Sequence, residues 1–334
     1  MRRRRVVSKH WLAVIGLIGS MVGVLAACPA RAEEYPSRVV TMIVPYPAGG
    51  PTDLVSRVVA NIISKELGQP IIIESVSGAS GTIGAARVAR ATPDGYTLLM
   101  HNITFASAPG LYQSRTYDPI KDFEPVGLVS DSPQAIVAKK TMAAKDLKEL
   151  VATIKAKPSS INLADAGRGS GSFLCNLLFS HTIGAPMTAV SYRGTGPALN
   201  DMLGGQVDLM CDQVANTIEQ IKANNIKAYC VATKTRLQIL PSVPICEESG
   251  VPGLEASVWV ALLAPKGTPK DITEKLSAAL QLALKDENVV QRCAGLATVP
   301  ASQREQTPEG LRAFLKSEVD RWRQTLTAMK VSPQ

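Results

Sequence analysis

Four loops in this chain are rich in Gly, three of them with Ser or Thr, and each follows an apolar strand pattern and opens a helical one. They are residues 45–51 (Pro-Tyr-Pro-Ala-Gly-Gly-Pro), 77–82 (Ser-Gly-Ala-Ser-Gly-Thr), 167–171 (Gly-Arg-Gly-Ser-Gly) and 193–197 (Arg-Gly-Thr-Gly-Pro). Glycine lets the backbone come close to a ligand, and free N–H groups at a helix start, added to the helix dipole, favour an anion. One such loop carries little weight, because tight turns need glycine in any case. Four of them beyond the carboxyl ends of strands, where open α/β sheets bind ligands, point to a site for a small anion. The spacing does not suit nucleotides. GxxxxGK[ST] is absent, and Gly78, Gly81 and Gly84 lack both the GxGxxG spacing and the acid expected after the next strand.

Catalysis finds less support. Past residue 32 the histidines are His101 and His181. His181 falls late in a helical stretch and reads as a surface or cap residue. His101 ends a strand pattern beside the expected cleft and is a candidate ligand contact. Asp212 ends another strand and has two readings, a ligand contact or an acceptor for nearby backbone N–H groups. Gly169-Ser170-Gly171 lacks the intervening residues of a GxSxG elbow. A secreted hydrolase or transferase using Ser170 or Ser80 is the alternative reading, and it wants a base.

The elements that must hold these loops alternate regularly. Residues 39–44 form a continuous apolar run, as expected of a strand buried on both faces. Leu54, Val55, Val58, Val59, Ile62, Ile63 and Leu67 then recur at helical spacing, with Pro51 at the start and Gly68 at the end. The strand–loop–helix unit returns at residues 71–90 and 161–181, again from residue 188, and at 206–223. Such alternation predicts an α/β fold with parallel sheets covered by helices. Two stretches break the pattern, residues 126–140 and 258–263, the second followed by three helices. They are read as two crossover strands joining two doubly wound lobes, with the C-terminal helices returning to the first. The expected division is 33–130 with 259–334 for lobe 1, and 131–258 for lobe 2.

Charge and cysteines speak to compartment. The formal net charge is +8, but residues 1–32 contribute six basic residues and no acid. Without them 30 Lys and Arg face 28 Asp and Glu, a balance of +2, and the whole chain has 15 aromatic residues. Neither supports nucleic-acid binding. Residues 1–32 run from Met1-Arg-Arg-Arg-Arg5 through an apolar stretch to Ala30-Arg31-Ala32, the form of a signal peptide cleaved after Ala32. Leu25-Ala26-Ala27-Cys28 offers a second exit, lipidation at Cys28, although Pro29 suits it poorly. The expected product is a soluble, exported chain with five cysteines, Cys175, Cys211, Cys230, Cys246 and Cys293, at spacings that suit no metal. Cys175, in the first turns of a helix, and Cys211, at the end of a strand, are placed to form a disulfide.

At these same loops the sequence resembles a family. Val44-Pro-Tyr-Pro-Ala-Gly-Gly-Pro-Thr-Asp53, Gly78-Ala-Ser-Gly-Thr-Ile-Gly84, Ala91-Thr-Pro-Asp-Gly-Tyr-Thr-Leu98, Tyr192-Arg-Gly-Thr-Gly-Pro-Ala-Leu199 and Gly204-Gly-Gln-Val-Asp208 are similar, in order, to the Bug/TctC-type receptors of tripartite tricarboxylate transport systems. The resemblance runs from about residue 35 to 330. It implies a periplasmic binding protein type II-like fold that closes on a small organic carboxylate and hands it to membrane transporter subunits, as a monomer with no cofactor. It also implies ligand contacts from Tyr46, Ala48, Gly49, Gly50, Gly78, Ala79 and Ser80 in lobe 1. Lobe 2 would add Gly169, Ser170, Ser172, Tyr192, Arg193, Gly194, Thr195 and the Asp212 region. Ser75-Val76-Ser77 replaces a more usual Asn-x-Pro, and Arg193 stands where Lys is common. The identity of the carboxylate stays open, as does the choice between transport and sensing.

Overall fold

Strand β1 (Val40–Val44) has four of its five residues buried and lies between two parallel partners, β2 (Ile71–Ser75) and β3 (Thr97–Asn102). In this computed structural model residues 34–113 and 116–333 are described; the expected signal segment and Cys28 fall outside them. Residues 34–37 carry no regular secondary structure, and Arg38–Gln334 forms one compact unit. Helix α1 (Pro51–Leu67) connects β1 to β2, starts on proline, and stops at Gly68, whose left-handed φ of 71° ends it as expected of a glycine C-cap. Helices α2 (Thr82–Ala89) and α3 (Thr104–Leu111) follow β2 and β3.

Strand β4 (Phe123–Lys139) is the structural spine. Its first part pairs antiparallel with β9 (Ser257–Pro265), from Phe123 to Pro133. From Gln134 onward it pairs with β7 (Leu209–Gln213) and β8 (Ile226–Val231). Helix α4 (Leu147–Ala156) leads to the parallel strands β5 (Asn162–Asp165) and β6 (Thr188–Ser191), separated by α5 (Gly171–Ile183). Helices α6 (Thr195–Leu203) and α7 (Val214–Lys222) flank β7 in sequence. The sheet order is β2-β1-β3-β9-β4-β7-β5-β6, with β8 also on β4. After β9 come α8 (Lys270–Ala283), α9 (Glu287–Gly295), the short β10 (Val299–Pro300) against β4, and α10 (Pro308–Ala328). Helix α8 packs on α1, and α10 on α3 and β4, so the C-terminal helices return to the first sheet.

Both expected crossovers are strands. β4 enters both halves of the sheet, while β9 pairs with β3 and β4 and is tied to the second half just before it begins, where Ala256 N–H donates to Ala232 O at 3.0 Å.

Alternation along β4 sorts the second core into two layers. Ile136 and Ala138 face a cluster with Leu163, Phe179 and Leu209, whereas Ala135 and Val137 face Met202, Met210 and Val214. The first sheet has its own cluster around Phe105, Phe123, Trp259 and Trp322. Cys175 on α5 and Cys211 on β7 are bridged, with 5.8 Å between their Cα atoms. Cys230 and Cys246 form a second bridge at 4.9 Å, and Cys293 is a buried free thiol.

Candidate functional site

The strands β1, β2, β5, β6 and β7 end at loops that meet around one cavity of about 910 Å³. Tyr46, Gly49 and Gly50 line it from the loop after β1, Gly78, Ala79 and Ser80 from the loop after β2, and Asn102 and Thr104 from the end of β3. Across from them stand Ser170 and Ser172, then Tyr192, Arg193, Gly194 and Thr195, then Asp212 and Asn216. Three expected contacts are not on this wall. Ala48 is exposed, Gly169 is buried behind Ser80, and His101 lies wholly inside the protein.

The first loop is fixed from below. Asp53, in the first turn of α1 and 1% exposed, accepts from the Gly49 N–H at 2.9 Å and takes both arms of Arg57. Burial alone would raise its carboxyl, but hydrogen bonds from Arg57 and the Gly49 amide hold it below the usual value. The Gly49 amide, expected to face a ligand, is thus already engaged by the chain.

The second loop is the opposite case. Gly78, Ala79, Ser80 and Gly81 all have positive φ, at 136°, 44°, 52° and 89°. For Ala79 and Ser80 this is a costly conformation, of the kind that persists where surrounding structure enforces it. It turns the N–H groups of residues 78–80 out of any ladder, and among the described residues no protein group accepts from them. Thr104 anchors the loop by donating to Ser80 O at 2.9 Å.

Tyr46 carries the loops on a buried polar post. Its phenolic oxygen lies 3.0 Å from His101 Nδ1, 2.5 Å from Asn102 Oδ1 and 2.6 Å from Thr104 Oγ1. Burial holds the phenol far above its ordinary value. His101 Nδ1 accepts the Asn102 N–H at 2.9 Å, which puts the ring proton of a neutral imidazole on Nε2. Burial also pushes that imidazole down to about 3, so it is uncharged in the physiological range. His101 supports Tyr46 from inside and is 0% exposed.

On the facing side Ser170 caps α5, its Oγ accepting the Phe173 N–H at 3.1 Å and lying 3.0 Å from Ser172 Oγ. Ser80 Oγ donates to Arg168 O at 2.6 Å and lies 2.8 Å from the Tyr112 hydroxyl. Neither serine has an imidazole or carboxylate partner among the described residues. Their hydroxyls are engaged in capping and in joining loops.

Asp212 closes the cavity wall at 3% exposure and accepts from Asn216 Nδ2 at 3.1 Å. Burial pushes its carboxyl up to about 6, against the hydrogen bonds from the Gln213 amide, Asn216 and Thr195. The sequence reading missed Asn102, Thr104, Arg168 and Asn216 on the wall. Asn216 was within reach, since it follows Asp212 by one helical turn. Asn102 and Thr104 stand at the end of β3, where the loop has no glycine to draw attention.

A cavity walled by helix-starting loops from both halves of a mixed α/β sheet defines a solute-binding protein of the periplasmic binding protein fold. The chain belongs to the TctC family, the tripartite tricarboxylate transporter family receptors, whose sequence pattern matches residues 55–331. Among solved structures it is similar to the periplasmic binding protein BugD, at 42% identity and a TM-score of 0.81 over 90% of this chain and 100% of that one. It is also similar to MatC from Rhodopseudomonas palustris with bound malate, at 38% identity and a TM-score of 0.79 over 87% and 100%. A third, from R. palustris with adipate, shares 28% identity and a TM-score of 0.82 over 90% and 100%. None of the helices in the described residues is long and apolar enough to cross a membrane.

Proposed function

We propose that this protein is an extracytoplasmic receptor that binds a small organic carboxylate in the cavity and delivers it to membrane transporter subunits. The N–H groups of Gly78, Ala79 and Ser80 carry the reading: a left-handed run turns them away from every protein acceptor among the described residues, on the wall of the cavity. Uncommitted amides in such a nest hold an anion without a charged side chain. Malate and adipate, present in two similar proteins, are small dicarboxylates and fit the same chemistry. Residues 33–130 with 259–334 make one lobe and 131–258 the other, closing on the ligand by bending at β4 and β9. The chain reaches the periplasm by cleavage after Ala32 and works as a soluble monomer.

A thermal-shift screen of organic acids on ligand-stripped protein tests this, alongside mass spectrometry of any co-purifying small molecule. A ligand at 100 times its Kd stabilises the fold by about 2.7 kcal/mol, and small-angle scattering should show compaction on binding. Turnover of a hit, abolished by Ser170→Ala or Ser80→Ala, would establish the hydrolase or transferase alternative instead. Loss of uptake on gene deletion separates transport from sensing.

A further inference from the structure

Amide nests explain one end of an anion, but the cavity also carries a buried carboxylate that such a ligand does not need. Asp212 ends β7, is 3% exposed and lines the cavity. Asn216 Nδ2 donates to it at 3.1 Å, the neutral Gln213 amide and Thr195 stand beside it, and no ion pair among the described residues reaches it. At this end of the surrounding elements the ionisable side chains are Asp165 on β5, Arg168 before α5, and Tyr192 and Arg193 before α6. β4 and α7 present Gln134 and Asn216 there. Asp165 is committed to the Gly167 N–H and Ser191, and the Tyr192 hydroxyl donates to Asp201. Arg168 donates to Ser332 O, and Arg193 is exposed.

A carboxylate offers about four acceptor positions, and one donor within hydrogen-bond distance leaves acceptor capacity on the cavity wall. A buried anion without a counter-charge is costly, and a ligand group that donates to it relieves that cost. A second ionised carboxylate at the same place would add like-charge repulsion.

We propose, resting on the carboxylate-receptor reading, that Asp212 is a specificity-determining residue that selects a carboxylate bearing a hydrogen-bond donor, a hydroxyl or an ammonium, at the end that faces β7. A donor-bearing acid is preferred over its donor-free counterpart. Hydrogen bonds to charged groups make such a preference roughly tenfold to hundredfold. Amino acids and donor-free acids also respond oppositely to pH. The Asp212 carboxyl has a ligand-free value of about 6. Ionised Asp212 accepts from an ammonium, which cannot accept in return, so affinity for an amino acid falls as the pH drops through that value. Protonated Asp212 can donate instead, so affinity for a donor-free dicarboxylate rises over the same interval.

Titration calorimetry of the mature protein with succinate, malate and aspartate, and with glutarate, 2-hydroxyglutarate and glutamate, at pH 5 and pH 8 tests this. Expected at pH 8 is at least a tenfold preference for a donor-bearing member of a set. Asp212→Asn should weaken that member about tenfold or more, leave the donor-free acid unchanged or tighter, and abolish the opposite pH trends. The same trends measured on the unaltered protein give an answer even if Asp212→Asn folds poorly. Equal binding of donor-free and donor-bearing acids, or an equal loss for both in Asp212→Asn, overturns the inference while leaving the receptor reading intact. Failure of every acid to bind the unaltered protein overturns both.

Discussion

Gly81 lines the cavity at φ +89°, and a Cβ there would come 2.7 Å from His101 Nε2 and 3.2 Å from the Tyr46 hydroxyl. Gly81→Ala therefore combines a disfavoured φ with a clash against a fixed ring, and should cost about 1–3 kcal/mol. Gly250→Ala is the matched control, with φ +89° and nothing within 4 Å of the added Cβ, and should cost less. Urea unfolding of both variants decides between backbone strain and the His101 contact. His101 also makes a pH prediction. Its imidazole is held down to about 3 in the fold against an ordinary value of 6.5, so between those values the unfolded chain binds the extra proton. The neutral ring's contribution is thus present above pH 6.5 and is lost as the pH falls, by about 2 kcal/mol at pH 5. The stability of a His101→Gln variant should fall less steeply with decreasing pH than that of the unaltered protein.

At the scale of elements, the two disulfides tie helix and loop to the second sheet. Cys175–Cys211 closes 36 residues between α5 and β7, and Cys230–Cys246 closes 16 residues after β8. Chain-entropy arguments give each about 3–4 kcal/mol of stabilisation. Reduction should lower the melting temperature, and peptide mapping under non-reducing conditions should find only Cys293 alkylatable once the protein is unfolded. The first pair was legible because a helix start and a strand end adjoin in a doubly wound sheet. The second was not, because Cys246 lies in an irregular segment whose course depends on the isolated pairing of Val231 with Ile245.

Across the whole molecule, the halves of the cavity meet at the loop of residues 167–171. Ser80 Oγ donates to Arg168 O at 2.6 Å, and Gly169 approaches so closely that a Cβ on it would meet Ser80 Oγ at 2.9 Å. Ser80→Ala removes that bond, worth about 1 kcal/mol, and should speed ligand release about fivefold. Stopped-flow displacement measures this, with an unchanged release rate speaking against the contact as a clasp. Intact mass of the exported protein should place its N-terminus at Glu33, and a diacylated Cys28 would refute that.

The four glycine-rich loops, the alternation of strand and helix and the near-neutral charge past residue 32 were all present in the sequence, because each depends on local spacing. They were enough for the α/β class and the family. Local spacing does not report which amide a carboxylate several residues away has already taken, and Asp53 took that of Gly49. Nor does it separate a histidine that ends a strand beside a cavity from one beneath its wall: only the packing of Phe105 and Tyr46 around His101 decided that. Asp212 could be read two ways along the chain. Its burial against neutral donors, on the cavity wall, arises from β7, α6 and α7 meeting in space, and that meeting sets its charge state.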